Sequence, residues 1–310
     1  MKCLVIGGSG FLGYGVVDYL INKKIDVICF AKDACPANEA LPNVKYIIGD
    51  VFDKEVFKNS LKGVDAVLDF VSTTLPSDSS VYLDDEINKT LKYHNYVLST
   101  IQECGVKHYV FPSSGGAIYG NTNGIAVTED TILEPCTAYG LGKKMVEDIL
   151  RYYNQKFGMT VTVLRIGNVY GSKLMRERPQ GVVDILIQKA LSNEAFTVWG
   201  GALESKRDYV FLEDVADAVY LAIKNSNQNE FRVFNVGSGC AKSLKEIIDL
   251  VEEVTGNHFN IICDETRTAG VNQIVLSIDK IKKEIGWEPK TSLEAGVKKT
   301  FAYKKKNFVD

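Results

Sequence analysis

The chain has 310 residues, 45% hydrophobic and 24% charged, and its formal net charge at pH 7 is −3. This composition is typical of a globular protein with a large core, and the scattered Lys and Arg residues form no basic stretch that would indicate nucleic-acid binding. No apolar run approaches the roughly 18–20 residues of a membrane helix, no signal-peptide pattern is visible, and three separated His residues do not indicate a metal site.

The N-terminal segment predicts a strand, a tight turn and a helix. An apolar run at residues 2–6 is followed by the glycine-rich segment 7–13 and then by apolar residues at helical spacing. Glycines in such a turn let a pyrophosphate approach the backbone, and the helix start stabilises its negative charge. The segment therefore predicts a dinucleotide site, although an ordinary glycine-rich turn has the same pattern.

Strands and helices alternate through the first half of the chain. Further strands are predicted at residues 25–30, 44–48, 66–71, 106–111 and 160–166. Helices are predicted near residues 56–61, 84–104 and 138–157. This alternation predicts an α/β fold, with a doubly wound parallel sheet and helices on both faces. We assign residues 1–170 to a Rossmann-type dinucleotide-binding domain.

The pattern becomes irregular after Gly171. Strands are predicted at residues 196–199, 231–236 and 260–263. Helices are predicted at residues 182–191, 212–224 and 243–255, followed by two shorter helices around Trp287. Ser243 and Glu246 have the spacing of a capping box. We assign residues 171–310 to a smaller, mixed α/β substrate domain, with some segments near 207–239 returning to the first domain.

The seven cysteines are widely spaced and include no C-x-x-C pair. We interpret Cys3, Cys29 and Cys263 as buried apolar residues. An odd number of dispersed cysteines indicates a reducing compartment, so we predict a cytoplasmic protein.

Tyr139 and Lys143 share one face of a predicted helix because they lie four residues apart. A nearby ammonium lowers the pKa of a phenol, which suits the tyrosine to take a proton from an alcohol while a hydride leaves the same carbon. The Y-x-x-x-K pattern also arises by chance. However, Gly140 and Gly142 each cost about 1 kcal/mol within a helix, which predicts close approach of a ligand or a neighbouring backbone.

Seven short motifs occur in a fixed order along nearly the whole chain. They are Gly7-x-x-Gly10-x-x-Gly13, Ser113-Ser114, Tyr139-x-x-x-Lys143, Leu164-Arg165-x-x-Asn168-x-Tyr170-Gly171, Arg207-Asp208-Tyr209, Phe234-Asn235-x-Gly237 and Gly286-Trp287-x-Pro289. Together they resemble the extended short-chain dehydrogenase/reductase family, in particular its NAD-dependent nucleotide-sugar epimerases and dehydratases of the UDP-glucose 4-epimerase type. The resemblance implies bound NAD, a nucleotide-diphosphate sugar substrate, and a homodimer formed through the helices near 84–104 and 138–157.

The resemblance also implies roles for individual residues. The cofactor pyrophosphate would be held by Gly7, Gly10, Phe11, Leu12 and Gly13. Other parts of the cofactor would contact Lys32, Asp50, Val51, Phe70, Val71, Asn88 and Ile166. The sugar nucleotide would contact Ser114, Asn168, Arg207 and Arg267, the arginines binding its diphosphate. Tyr139 would be the catalytic acid/base, and Lys143 would bind the nicotinamide ribose and tune the tyrosine.

Some of these roles have simpler alternatives. Arg207 could form a surface ion pair, Asn88 could cap or bridge backbone groups, and Arg267 stands in a predicted irregular loop.

Three positions depart from the family pattern. Gly115 aligns with the catalytic Ser/Thr, so we assign that role to Ser114 as a hypothesis. The second strand ends in Ala31-Lys32 where an NAD-binding acid is expected, and a lysine there would suit the 2′-phosphate of NADP. Asp69 stands where relatives often carry His, and we expect it to be a locally hydrogen-bonded carboxylate rather than an acid catalyst.

The favoured function is therefore a nucleotide-sugar 4-epimerase that works through a 4-keto intermediate. One alternative is an NAD(P)H-dependent nucleotide-sugar 4-ketoreductase, which Lys32 would favour. Another is a catalytically silent dinucleotide-binding protein, which Gly115 favours and which Tyr139 and Lys143 disfavour.

Overall fold

The computed structural model describes residues 1–36, 39–73, 83–122, 124–175, 180–268 and 273–308, with only the backbone described at 85–86 and 267–268. Within these ranges, no helix combines the length and the apolar character needed to cross a bilayer.

The strands are, in chain order, β1 (Lys2–Ile6), β2 (Asp26–Ala31), β3 (Lys45–Ile48), β4 (Ala66–Asp69), β5 (His108–Ser114), β6 (Ala126–Val127), β7 (Thr160–Ile166), β8 (Asn168–Tyr170), β9 (Phe196–Gly200), β10 (Lys206–Phe211), β11 (Phe231–Val236), β12 (Ala241–Ser243), β13 (Ile261–Thr268) and β14 (Val275–Leu276).

The α-helices are α1 (Phe11–Asn22), α2 (Lys54–Ser60), α3 (Leu83–Glu103), α4 (Ala138–Phe157), α5 (Val182–Ser192), α6 (Leu212–Lys224), α7 (Leu244–Thr255), α8 (Asp279–Ile285) and α9 (Leu293–Asn307).

A seven-stranded parallel sheet forms the centre of the molecule, in the order β11-β7-β5-β4-β1-β2-β3. One face packs against α1, α6, α8 and Trp287. The other face packs against α2, α3 and α4. The predicted Rossmann-type fold is therefore confirmed. Since all seven strands run the same way, their carboxyl ends meet along one edge, where ligands bind in sheets of this kind.

Smaller sheets are formed mostly by strands of the second half of the chain, together with β6 from the first half. They have the orders β12-β10-β8, β13-β9 and β14-β6. A separate apolar core joins α5, α7 and α9 to β9 and β10. The intervening segment returns to the main sheet, since α6 packs in the core beside α1 and β11 forms the edge strand beside β7.

Two polar details fix the C-terminal segments. Ser243 and Glu246 form the predicted capping box at the start of α7. The indole Nε1 of Trp287 donates to the carbonyl of Asp214 at 2.9 Å, and the carboxylate of Asp214 accepts the backbone N–H groups of Lys290 and Thr291. The chain after α8 is thereby held against α6.

The structure corrects several sequence-based boundaries. Strand β5 continues through Ser114 rather than ending at Phe111, because its ladder with β7 extends to Ile166. Strand β4 ends at Asp69, two residues before the predicted end. Strand β13 continues to Thr268, so the backbone of Arg267 belongs to a strand and not to an irregular loop.

Two other expectations about the C-terminal half are wrong. Cys263 is exposed, because among the described residues β13 pairs only with β9 in a two-stranded sheet, and its thiol donates to Glu265. Helix α9 has 15 residues and is longer than the 12-residue α7. The apolar pattern of α9 is interrupted at Gly296. A Cβ at this position would lie 2.2 Å from the Tyr170 hydroxyl, so the glycine permits close packing of α9 against Tyr170.

A buried ion pair joins α5 to α9. Lys304 Nζ lies 3.2 Å from Asp184 Oδ1, and the two side chains are 2% and 0% exposed. Asp184 also accepts the backbone N–H groups of Gly171 and Ser172 at 2.8 and 3.1 Å. Burial raises the pKa of Asp184, and the Lys304 charge opposes that rise.

Replacing Lys304 alone should destabilise the protein. Lys304→Met leaves the Asp184 charge buried without its cation, and we expect a loss of about 3–5 kcal/mol in the free energy of unfolding. Urea denaturation of the variant measures the loss. The double variant Asp184→Asn/Lys304→Met should recover part of it, and a single variant within about 1 kcal/mol of the parent protein would contradict this account.

Candidate functional site

The glycine segment forms a cradle between β1 and α1. Gly7 has a φ of +74°, and the N–H of Gly10 donates to its carbonyl at 3.0 Å. A Cβ on Gly13 would lie 2.3 Å from that same carbonyl oxygen, so the helix packs against the turn only if residue 13 lacks a side chain. Helix α1 then begins at Phe11 with no acidic residue in its first turn. Its free N–H groups can bind an anion.

The wall beside this cradle comes from the end of β4. A Cβ on Gly7 would lie 3.2 Å from the carbonyl carbon of Phe70, the N atom of Val71 and the Val71 side chain. Phe70 and Val71 are both partly exposed. The structure thus brings these two predicted cofactor residues directly against the glycine turn.

The remaining predicted cofactor residues differ in exposure. Lys32 and Asp50 lie 3.6 Å apart as an exposed ion pair beyond β2 and β3. Val51 and Ile166 are 7% and 4% exposed. Asn88 is exposed on α3. The contacts of these five residues with a cofactor stay predictions. Lys32 and Asp50 follow the carboxyl ends of β2 and β3, where the adenosine of the cofactor is expected.

Tyr139 and Lys143 come together as predicted. The side chain of Thr137 caps α4 by accepting the Gly140 N–H, which places Tyr139 in the first turn of the helix. The Lys143 ammonium is 5.6 Å from the centroid of the Tyr139 ring and 4.6 Å from that of Phe111. It donates to the carbonyl of Pro112 in β5 at 3.0 Å. A buried cation beside a phenol favours the phenolate, so the pair can move a proton.

A buried polar network lies behind the two serines of β5. The Ser113 hydroxyl donates to Glu147 at 2.6 Å, and Arg165 donates to the same carboxylate at 2.8 Å. Arg165 also donates to the hydroxyl of Tyr119, which in turn donates to Asn235. Burial lowers the pKa of Arg165, but the hydrogen bonds and charge of Glu147 outweigh it and raise that pKa above its usual value.

This network distinguishes Ser113 from Ser114. Successive residues of a strand point to opposite faces, so the Ser113 hydroxyl is committed to Glu147 while Ser114 points elsewhere. Ser114 is partly exposed at the carboxyl end of β5. At Gly115, a Cβ would lie 2.6 Å from Leu276 and 3.0 Å from the Arg165 carbonyl, so a side chain at position 115 would displace its neighbours. Of the two serines, Ser114 is the better placed for catalysis.

Asp69 is a locally hydrogen-bonded carboxylate, as expected. It is 0% exposed and accepts hydrogen bonds from Val71 N–H at 3.1 Å, the Tyr93 hydroxyl at 3.0 Å and the Tyr109 hydroxyl at 2.6 Å. Since Asp69 is fully buried among the described residues, it is not placed to donate a proton to a substrate directly.

The predicted substrate residues lie on adjacent strands. Asn168 in β8 pairs with Tyr209 in β10, two residues beyond Arg207. Arg207 is partly exposed, its Nη1 donates to the carbonyl of Lys206 at 3.0 Å, and no carboxylate in the described part of the chain forms an ion pair with it. Burial lowers its pKa, which Tyr209 partly opposes. The surface ion-pair interpretation is therefore not supported, and the guanidinium can bind an anion. The side chain of Arg267 lies outside the described residues.

Sequence reasoning missed two residues that support the site. Glu147 lies four residues after Lys143, on the same helix face as Tyr139 and Lys143, and this spacing could have identified it. Asp208 is fully buried and accepts the backbone N–H groups of Ser238, Gly239 and Leu276, which fixes β10, the strand that carries Arg207. No sequence spacing indicates those long-range partners.

The close approach predicted for Gly140 is to a neighbouring backbone. A Cβ there would lie 2.4 Å from the carbonyl oxygen of Ala117 and 3.0 Å from Pro135 Cβ. The glycine lets the start of α4, with Tyr139, lie directly against the segment that follows β5.

Gly140→Ala should therefore destabilise the protein despite the higher helix propensity of alanine. We expect a loss of about 1–3 kcal/mol from the clash, where an open helical site would gain about 1 kcal/mol. Thermal unfolding of the purified variant measures this difference. An unchanged or raised melting temperature would show that the Ala117 carbonyl moves away without cost.

The chain matches the model of the NAD dependent epimerase/dehydratase family over residues 3–237. It is 32% identical over 309 residues to a putative UDP-glucose 4-epimerase from Methanocaldococcus jannaschii, covering 98% of each chain. It is also 28% identical to a dTDP-4-dehydro-6-deoxyglucose reductase from Escherichia coli, covering 96% of this chain and 95% of the reductase.

Solved structures show the same likeness. A UDP-glucose 4-epimerase from Thermotoga maritima, solved with UDP-glucose, superposes with a TM-score of 0.88 at 30% identity, covering 99% of each chain. A UDP-glucose 4-epimerase from Thermus thermophilus, solved with NAD, superposes with a TM-score of 0.86 at 27% identity, covering 98% of this chain and 99% of the epimerase.

Proposed function

Because the chain belongs to the NAD dependent epimerase/dehydratase family, we propose that it is a nucleotide-sugar 4-epimerase acting on a UDP-hexose. The observation that carries this proposal is the pairing of Tyr139 with the buried Lys143 ammonium at the carboxyl edge of the parallel sheet. The UDP-glucose 4-epimerase relatives and the Thermotoga maritima structure with UDP-glucose support the substrate class.

The chain fits a dinucleotide cofactor. The lack of a Cβ at Gly13 lets the start of α1 pack directly against the Gly7 carbonyl, so its free N–H groups lie beside the turn, and Phe70 and Val71 supply the neighbouring wall. The structure of the Thermus thermophilus relative with NAD supports NAD as the cofactor. When bound, NAD would accept the C4 hydride of the sugar and later return it.

The residues of the chain would carry the proton and orient the sugar. Tyr139, as phenolate, takes the proton of the C4 hydroxyl, and Lys143 stabilises that phenolate. Ser114 donates a hydrogen bond to the C4 oxygen. Arg207 and Arg267 hold the diphosphate, so the 4-keto sugar can turn about its link to the nucleotide and present its other face. Tyr139 then returns its proton to the C4 oxygen, while the hydride would return to the C4 carbon on that face.

A 4-ketoreductase is the second candidate. The Escherichia coli reductase relative and the absence of a carboxylate at the end of β2, where Ala31 and Lys32 stand, favour it. A reductase consumes reduced cofactor, whereas an epimerase would end each turnover with the NAD⁺ with which it began. Lys32 and Asp50 form an exposed ion pair, so the 2′-phosphate of NADP can compete with the Asp50 carboxylate for the lysine.

We also propose a homodimer formed through α3 and α4. Tyr152 and Phe157 of α4 are 55% and 47% exposed, and an interface there would bury them. The proposed division into domains at residues 170–171 places Tyr139 in the cofactor domain, to which segments near 207–239 of the substrate half return. The seven free cysteines fit the proposed cytoplasmic location.

The proposed activity is tested with purified protein, NAD⁺ and UDP-glucose or UDP-galactose. We expect NMR to show inversion at C4 without net change in cofactor absorbance. Tyr139→Phe should lower turnover by roughly 10³-fold, because the proton acceptor is lost. Net oxidation of NADPH with a 4-keto sugar nucleotide would indicate the reductase instead, and binding without turnover of either substrate would indicate the silent protein.

The two serines of β5 provide a matched pair for the Ser114 assignment. Ser114→Ala should lower kcat by roughly 10–100-fold, because the hydrogen bond to the C4 oxygen is lost. Ser113→Ala removes a hydrogen bond to Glu147, so it should mainly lower stability. Steady-state kinetics and thermal unfolding of both variants separate these effects, and an intact kcat in Ser114→Ala would refute the assignment.

A further inference from the structure

A cluster of buried polar groups lies beneath the proposed site, at the end of β4. Asp69 is its centre, with Tyr93 and His94 from α3 and Tyr109 from β5 around it. These four side chains are 0%, 6%, 2% and 0% exposed, respectively. No step of the proposed reaction uses them, yet their burial would cost considerable free energy if they were not hydrogen-bonded.

The hydrogen bonds of the cluster favour the ionised form of Asp69 and oppose the effect of its burial. Three donors point at the Asp69 carboxylate: the N–H of Val71 and the hydroxyls of Tyr93 and Tyr109. Burial raises the pKa of Asp69, while these three hydrogen bonds and the charge of Lys143 oppose the rise. Since the N–H of Val71 can only donate, it favours the ionised form of the oxygen that it contacts.

The histidine does not neutralise that charge. His94 Nδ1 lies 3.8 Å from Asp69 Oδ2. Burial, together with the nearby Lys143 charge, lowers the pKa of His94 to about 3. His94 is therefore uncharged at neutral pH, and Lys143 is the cation that acts on both His94 and Asp69.

Phe111 connects the cluster to the catalytic lysine. Its ring lies 5.3 Å from the His94 ring on one side and 4.6 Å from the Lys143 ammonium on the other. Because these rings are buried and of low dielectric constant, they strengthen the interaction between the Asp69 carboxylate and the Lys143 ammonium. A negative charge on Asp69 therefore partly cancels the positive potential that Lys143 produces at Tyr139.

The same carboxylate also shapes the cofactor cradle. By accepting the Val71 N–H, Asp69 bends the chain so that Phe70 and Val71 lie against Gly7. The Asp69 side chain thus acts both on the Phe70–Val71 wall of the cradle and on the pair of Lys143 and Tyr139.

We propose that Asp69 is a positioning residue that holds the Phe70–Val71 wall against the glycine cradle and sets the electrostatic field of Lys143 at Tyr139. This inference rests on the proposed function. If the parent protein inverts no UDP-sugar, the proposed function fails. If the parent protein is active and the variants below match it, this inference fails.

The first experiment measures kcat as a function of pH for Asp69→Asn. The amide keeps the shape of the side chain but removes its charge, so Lys143 stabilises the Tyr139 phenolate more strongly. We expect the acidic limb of the profile to move to lower pH by roughly 0.5–1 pH unit, with KM for the UDP-sugar within about twofold of the parent value.

Asp214→Asn is the matched control. Asp214 is 4% exposed and also accepts backbone N–H groups, but it lies in α6 on the other face of the sheet. It should lower stability without moving the profile. A shift of the same size in both variants, or in neither, would overturn the electrostatic role of Asp69.

The second experiment measures NAD⁺ affinity by calorimetry, which does not depend on turnover. Asp69→Ala removes the acceptor of the Val71 N–H and should weaken binding several-fold, whereas Asp69→Asn retains an acceptor oxygen and should stay within about twofold. Equal affinity of the alanine variant and the parent protein would refute the role of Asp69 in the cradle wall.

Tyr109→Phe keeps the test decisive if the Asp69 variants do not fold. It removes the 2.6 Å donor to Asp69 without removing a charge. Asp69 should then be protonated more readily, so the acidic limb should shift in the same direction as for Asp69→Asn, by a smaller amount. A profile identical to that of the parent protein would overturn the proposal.

Discussion

The buried pair of Arg165 and Glu147 is the interaction on which the site depends. Arg165 comes from β7 and Glu147 from α4, the helix that also carries Tyr139 and Lys143. The Ser113 hydroxyl adds β5 to the same carboxylate. Two charges buried at 5% and 6% side-chain exposure are stable only with good geometry and further hydrogen bonds. The pair therefore fixes α4 against the sheet edge, and Tyr139 and Ser114 keep their relative placement.

Much of the fold was predictable because local patterns decide it. The bounds of α4, α6, β7 and β11 agree with those expected from apolar periodicity and turn residues. The pairing of Tyr139 with Lys143 needed only helical geometry. The same holds for the cradle at Gly7–Gly13, where strand, turn and helix follow one another directly in the chain.

Other features depend on contacts between distant segments and had no local signal. Strands β6, β8, β12 and β14 have two or three residues each, too few for periodicity to appear. Cys263 reads as an apolar strand residue, but its exposure follows from the small sheet that β13 joins. The distinction between Ser113 and Ser114 also needed the structure, because Glu147 lies 34 residues away from Ser113.

The contact of Leu276 with Gly115 has a consequence for the order in which the site can form. Leu276 belongs to β14, and it occupies the space where a side chain at position 115 would lie. Strand β14 pairs with β6, and Asn235 of β11 donates to the backbone carbonyls of Val127 and Ser277 on either side of that pairing. During synthesis, the seven main strands emerge before this cover does. The end of β5, which carries Ser114, therefore reaches its final surroundings only after β14 has been synthesised, so this part of the site forms later than the central sheet can.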